Sequence, residues 1–560
     1  MNQKVKDSIL KYALQNAVKF SGKANPAAII GRILGEFADL RQKRAEVMDE
    51  IESIVADVNK MSVEEQTAEL METAPELLEA KERERKGLPP LKNAVEGKVV
   101  TRIPPEPSKY NHIGHALTFL INYVYAKKYK GKCVLRFEDT NPAKSEQAYV
   151  DAMQSDVLDY LDIKPDKIIF VSDEMPKMYE YAEKLIKSGD AYICFCSRDE
   201  VQDKRHKGQA CKHCETKPSD NMKEWDKMKN GSYGEGQVSL RMKGDMKSKN
   251  HVMRDPVLFR IVKAEHYRQK SKYCSWPMYD FAAVVGEELC GTTHILRSSE
   301  FGKMREELQN YLKDKLGLRK QEIRQYGRFN IKGAVTQGRE IRAMIEKKEV
   351  MGWDDPRLVT LRALKRRGFV KEMFYDLINE LGLNPSPINI DWKLISSINR
   401  RILDEKCDRH FFIHEPVKIR IKGAPAHNVE LNLHPEHRKG GRKFRVNDEF
   451  FVEKADFDSL KEGELYRLMD CLNFAKKGAG FEFDSLEYEK YKKSGSRIMH
   501  WLPAGQTIEA EIMMPDAKIL KGIAEPEVSR LKEGDIIQFE RFGFCRLDDK
   551  KKLRFWYTHK

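Results

Sequence analysis

The chain has 560 residues, 41% of them hydrophobic and 34% charged, with a formal charge of +14. That composition excludes a disordered chain, and the length exceeds what one core fills, so three or four domains are expected. No apolar run approaches the ~20 residues of a membrane span, and the basic balance favours a polyanionic partner.

In residues 1–95 apolar positions recur at three and four in SILKYALQNAVKF, AAIIGRILGEF and VMDEIESIVADV, which predicts a helical region. The first twenty residues lack the apolar core and cleavage site of a secretory signal, and ten cysteines argue for reduced thiols, so a cytoplasmic location is expected. The segment KERERKGLPPLKNAVEGK reads as a linker.

The next stretch organises the chain. Residues 99–103 predict a buried strand that the PPEP turn ends. Asn111 is placed to cap a helix running through Ala126, and residues 133–137 predict a second strand ending in Glu138 and Asp139. Strand, helix and strand begin a parallel α/β sheet, whose ligands bind beyond the carboxyl strand ends. His112 and His115 share the first helical turn, with Gly114 between them leaving room for a ligand. The spacing does not match the helical zinc pattern, which needs His at i and i+4.

RIPPEPSKYNHIGHA followed by LRFEDTNP resembles the nucleotide-binding signature of class I aminoacyl-tRNA synthetases, in the glutamyl/glutaminyl branch. The resemblance covers most of the chain from residue 99. It implies a multidomain protein: a helical appendix (1–95), a Rossmann-like catalytic domain (96–345), a helical stem-contact domain (346–403) and antiparallel β-barrels that bind the anticodon (404–560). The activity it implies is ATP-dependent ligation of L-glutamate to tRNA-Glu through an adenylate, with Mg²⁺ on the phosphates, by a monomer.

Site residues follow from the same resemblance. Pro105, Glu106, Pro107, His112, Ile113, Gly114 and His115 are implied at ATP, and Arg102, Ser108, Glu138, Tyr279 and Arg297 at the glutamate. Guanidinium grips carboxylate with two donors, which suits Arg102 and Arg297 to the two carboxylates of glutamate. Asp139 is a candidate for support near the terminal adenosine. Glutaminyl enzymes typically carry an uncharged residue where Arg297 stands, since an arginine facing a neutral amide lacks its counter-charge.

Residues about 190–250 form an insertion, by resemblance directed at the tRNA acceptor end. Cys194 and Cys196 form CxC, and after fourteen residues Cys211 and Cys214 form CxxC, a spacing suited to structural zinc. His213 is an alternative fourth ligand to Cys214, and His206 an outside one. YDF and THILR around Tyr279 and Arg297 match the family almost letter for letter.

The second signature departs from the family. Where relatives carry a Lys/Ser loop that grips the triphosphate, this chain reads Thr336, Gln337, Gly338, Arg339, Glu340, with Lys332 and Arg342 flanking. Gln337, Gly338 and Arg339 are therefore the expected ATP contacts, with Arg339 catalytic through its charge. In GWDDPRL, Asp354 or Asp355 is expected to cap a helix at Pro356, and LVTLRALKRRGF supplies a basic face for tRNA phosphates. In the alternating strands after 404, His437, Arg438, Lys439, Arg442 and Lys443 with Tyr491, Trp501 and Phe542 suit unstacked RNA bases. Charging of tRNA-Gln as well, a glutaminyl enzyme and a non-catalytic tRNA-binding paralogue remain the alternatives.

Overall fold

The computed structural model describes residues 2–20, 22–74, 77 and 87–560, and forms two units, Met1–Lys86 and Gly87–Lys560. Residues 81–86, the charged half of the expected linker, lie outside the described residues.

The first unit is helical: α1 (Gln3–Lys19), α2 (Pro26–Glu36), α3 (Arg44–Val58) and α4 (Val63–Thr73). Asn2, Asn25 and Ser62 cap three of them, and Ile9, Leu14, Ile33, Ile51 and Leu70 close their core.

The second unit opens on β1 (Val100–Ile103), α5 (Ile113–Lys128), β2 (Lys132–Phe137), α6 (Gln147–Ser155) and β3 (Lys167–Phe170). The three strands are parallel, with Arg102 opposite Val134 and Phe137 opposite Phe170. Helix α5 is apolar on nearly every face because it lies inside the unit, burying Ile113, Leu117, Leu120, Ile121 and Tyr125. Its cap is His112 and not Asn111: Asn111 is buried and donates through Nδ2 to Asp156 Oδ2 at 3.0 Å.

Next come α7 (Met175–Lys187), β4 (Ala191–Cys194), α8 (Arg198–Lys207), α9 (Pro218–Lys229), β5 (Ser239–Met242), β6 (Val257–Ile261) and β7 (Ser275–Pro277). Strands β4 to β7 pair antiparallel as a separate sheet. The chain returns through α10 (Tyr279–Cys290), β8 (His294–Ser298), α11 (Gly302–Leu316) and β9 (Glu322–Tyr326), with β8 and β9 parallel. Thr293 N donates to Val100 O at 2.9 Å and Thr293 Oγ1 accepts from Val100 N at 2.8 Å, which sets β8 beside β1. Chain direction across the sheet therefore reverses between β1 and β8, the crevice where ligands of open α/β sheets bind.

Strands β10 (Phe329–Ile331) and β11 (Ile388–Ile390) pair in parallel, with α12 (Gly338–Glu346), α13 (Leu361–Arg367) and α14 (Lys371–Leu381) between them, and α15 (Trp392–Asp404) follows β11. The expected cap at Asp354 or Asp355 is corrected: Thr360 caps α13, and Asp355 is held by Arg357 and Met351 N.

The remainder is rich in strands. One seven-stranded sheet runs in the order Arg409–His410, Ile536–Phe539, Gly543–Asp549, Arg554–His559, Ile508–Met513, Ile519–Ala524, Phe412–His414, and a second seven-stranded sheet carries Pro416–Lys422. The expectation of purely antiparallel barrels is corrected here. Arg409–His410 and Ile536–Phe539 pair in parallel, as do Ile508–Met513 and Arg554–His559. Neither strand order closes on itself among the described residues.

Candidate functional site

The Pro-rich turn is stitched to what surrounds it. Pro105 O accepts from Glu138 N at 2.9 Å and Pro107 O from Glu146 N at 3.1 Å. These bonds seat residues 104–110 over the carboxyl end of β2, directly before the N-terminus of α5. Glu106 is exposed.

At that N-terminus His112 Nδ1 accepts from Gly114 N and His115 Nδ1 accepts from His112 N, both at 3.1 Å. A neutral imidazole that accepts at Nδ1 carries its proton on Nε2, so each ring keeps one donor for an anion. The rings lie 3.9 Å apart. Burial, then the Lys109 ammonium, pushes His112 down to about 3, and burial, His112 and Lys109 hold His115 well below its usual range. Both are neutral donors at pH 7. A side chain at Gly114 would meet His112 Cε1 at 2.9 Å, so the glycine makes room for the imidazole itself. Ile113 is buried in the core and its N–H goes to Val359 O at 3.1 Å, leaving it no free polar group for ATP.

Beyond the carboxyl ends of β1 and β2 lies a buried charge network. Arg102 Nε donates to Glu287 Oε1 at 2.8 Å, Arg136 Nη2 to the same oxygen at 3.1 Å, and Arg136 Nη2 to Glu138 Oε1 at 2.6 Å. Burial would raise the Glu287 carboxyl, but the two guanidiniums overcome it and hold it well below the carboxylate range. Arg102 and Glu138 are thus tied to protein partners, and Arg136 and Glu287 are the site residues that sequence reasoning missed. Arg297 Nη1 donates to Gln309 Oε1 at 2.8 Å, and Gln309 Nε2 to Asp280 Oδ1 at 3.1 Å. Burial raises the Tyr279 phenol, and Arg305 lies over its ring. Lys313, one turn along α11 from Gln309, is 1% exposed and its Nζ has no hydrogen-bond partner.

Asp139 proves structural: it accepts from Ser172 N and Oγ and from the Tyr267 hydroxyl, and is fully buried. Ser108 O accepts from Arg342, which ties the turn to α12. Gln337 caps α12, Gly338 is buried in its first turn, and Arg339 and Lys332 are exposed.

In the insertion, Cys194, Cys196, Cys211 and His213 bring their ligand atoms within 4.8 Å of one another. Cys214, the fourth ligand expected from sequence, is not in this group, although it packs against Cys194 and Cys211 from the 3₁₀ turn Lys212–Glu215. Cys194 and Cys211 sulfurs are 3.7 Å apart, and His213 Nδ1 lies 3.7 Å from Cys196 and 3.8 Å from Cys211. A tetrahedral zinc with bonds of ~2.3 Å separates its sulfurs by about 3.8 Å, so the donor set and its spacing fit that ion.

Two further expectations are corrected. Arg442 is 1% exposed and bound to Glu525 and Glu540, and Trp501 is 0% exposed with Nε1 on Met469 O, so neither meets RNA. On α13, Arg367 is buried against Pro356 O and Thr558 O and Arg366 pairs with Asp548. Arg362, Lys365 and Arg366 still line a cavity of ≈ 490 Å³ together with Tyr110 and Arg546.

Three families of domains match the chain. The catalytic domain of tRNA synthetases class I (E and Q) matches residues 98–405, and two anti-codon binding domains of the same class match 407–489 and 498–548. The chain is 40% identical to a glutamate--tRNA ligase of Pyrococcus abyssi over 98% of its length and 99% of the relative's. It is 38% identical to those of Thermococcus kodakarensis and Nitrosopumilus maritimus over 100% of both chains.

Proposed function

The chain belongs to the E and Q family of class I tRNA synthetases and joins glutamate to tRNA, and we propose how its residues divide that work. An oxygen of the glutamate α-carboxylate attacks the α-phosphorus of ATP, and the bond to pyrophosphate breaks. The terminal ribose hydroxyl of tRNA then attacks the adenylate and releases AMP. Little covalent work falls to the protein, so positioning and charge neutralisation supply the rate.

His112 and His115 donate their Nε2 protons to ATP phosphates as neutral groups. The observation that carries this reading is the Nδ1 bonding of both rings at the N-terminus of α5, which aims two fixed donors at one place. Among the described residues no cluster of possible metal ligands lies beside this pair, so Mg²⁺ would be held chiefly by the phosphates. When bound it neutralises developing phosphate charge.

Arg297, held by Gln309, faces the glutamate side chain and excludes a neutral amide. Arg102 and Arg136 reach the substrate as a buried pair balanced by Glu287 and Glu138 together, and Glu138 offers its second oxygen to the ammonium. Cys194, Cys196, Cys211 and His213 would hold a structural zinc that braces the insertion. Arg362 and Lys365 suit tRNA phosphates in a cavity they share with Asp156, Asp354 and Asp548, and the C-terminal sheets suit the anticodon.

Aminoacylation of separate tRNA-Glu and tRNA-Gln transcripts with labelled glutamate and glutamine tests the reading. Glutamate on tRNA-Glu supports it, and glutamate on both extends it to a non-discriminating enzyme. Glutamine on tRNA-Gln, or no charging at all, would overturn it.

A further inference from the structure

The loop at 336–340 lacks the lysine that its resemblance leads one to expect, yet a lysine stands beside it from another part of the chain. A Cβ added to Gly338 would lie 2.9 Å from Lys109 Cδ and 3.3 Å from Lys109 Cβ. The stem of Lys109 therefore passes along the first turn of α12, close against Gly338. The ammonium acts on both His112 and His115, and Arg342 and Glu106 act on it in turn. It stands between the N-termini of α5 and α12.

That placement is unfavourable in the free protein. Helix N-termini carry partial positive charge, which repels an ammonium. Arg342 adds a full positive charge, and partial burial disfavours the charged lysine further. The Glu106 carboxylate offsets part of this, but among the described residues Lys109 makes no hydrogen bond or ion pair. An anion of several charges entering between the two helices would reverse every one of them.

Resting on the function proposed above, we propose that Lys109 is the cation that grips the β- and γ-phosphates of ATP and neutralises the departing pyrophosphate. In the step concerned, the glutamate oxygen–phosphorus bond forms as the bond from the α-phosphorus to the bridging oxygen breaks. The electron pair leaves on pyrophosphate, and Lys109 stabilises that charge without transferring its proton.

The test uses full-length protein carrying Lys109→Met or Lys109→Arg, with ATP affinity measured by calorimetry in the presence of tRNA and charging kinetics alongside. Lys109→Met is expected to lower kcat/KM for ATP by about 100-fold or more, with the KM for glutamate within about 3-fold. Lys109→Arg should recover most of that loss, which a merely structural role would not require. A Lys109→Met enzyme within about 3-fold of wild type, or a Lys109→Arg enzyme no better than Lys109→Met, would overturn the proposal. If wild type charges no tRNA yet binds ATP and Lys109→Met does not, the ligase reading fails while the role of Lys109 stands. If wild type binds no ATP, both fall.

Discussion

Arg102 and Glu287 meet at 2.8 Å with both side chains out of water, 5% and 4% exposed, at the carboxyl end of β1. Glu287 is the only carboxylate shared by Arg102 and Arg136 among the described ion pairs, and Glu138 supplies the second negative charge through Arg136. Removing one member of such a group strands the others. Glu287→Ala should cost about 3–5 kcal/mol of stability, read from denaturant midpoints. A cost below about 1 kcal/mol would mean the arginines find water or other acceptors.

Why this network escaped the sequence is plain from its parts. The strand–helix–strand unit was legible because β1, α5 and β2 each carry a local pattern, and His112, Gly114 and His115 sit together in four residues of chain. Glu287 lies 185 residues from Arg102 and reads as an ordinary charged position in the last turn of α10. Nothing local marks it, and only the sheet brings it to β1. The same holds for Lys109, whose partner Gly338 belongs to another element. The cap at His112 was missed because Asn111, the better cap by residue type, is drawn inward by Asp156. Arg442 escaped for the opposite reason: alternation marks which strand residues share a face, but not which face is the core.

Arg297→Cys should raise the KM for glutamate severely, because the guanidinium held by Gln309 is the charge that answers the substrate's side-chain carboxylate. The loss is expected to be of the order of 100-fold. Steady-state charging of tRNA-Glu measures it, and a near-normal KM would remove Arg297 from the specificity pocket.

Lys313 is a buried cation whose charge is unwelcome. Burial pushes it down to about 8, with Glu287 and Glu306 opposing and Arg297 and Arg102 adding repulsion. The sign follows: the folded state binds this proton less tightly than the unfolded chain does. The penalty is therefore full below pH 8 and fades as pH rises towards the unfolded lysine value of ~10.4. Lys313→Met should raise stability at pH 7 by up to about 3 kcal/mol and weaken glutamate binding several-fold. Thermal melts and the glutamate KM together check this; a destabilised variant would contradict it.

The metal site separates two residues adjacent in sequence. His213→Ala should strip zinc from the purified chain, while Cys214→Ala should retain about one zinc per chain by elemental analysis. The reverse result would restore the CxxC pairing that spacing alone suggests and would mean that the turn at 212–215 rearranges around the ion.

Acid should unsettle the C-terminal sheets through His500. The ring is 1% exposed, donates from Nε2 to Phe412 O at 3.0 Å, and accepts at Nδ1 from Arg541 Nη1 at 3.1 Å. A second proton would have to displace Arg541, so burial and then Arg541 push its pKa down to about 4, against the opposing pull of Asp456. The unfolded chain takes up that proton near pH 6.5 and the folded one does not, so stability present above pH 6.5 is lost as pH falls towards 4. Between pH 6.5 and 5 the loss through this one residue should be about 2 kcal/mol. His500→Gln keeps a donor and an acceptor but cannot titrate, so its denaturation midpoint should fall less steeply over that interval. Parallel acid limbs for the two proteins would show that His500 is protonated in the fold and that Arg541 gives way.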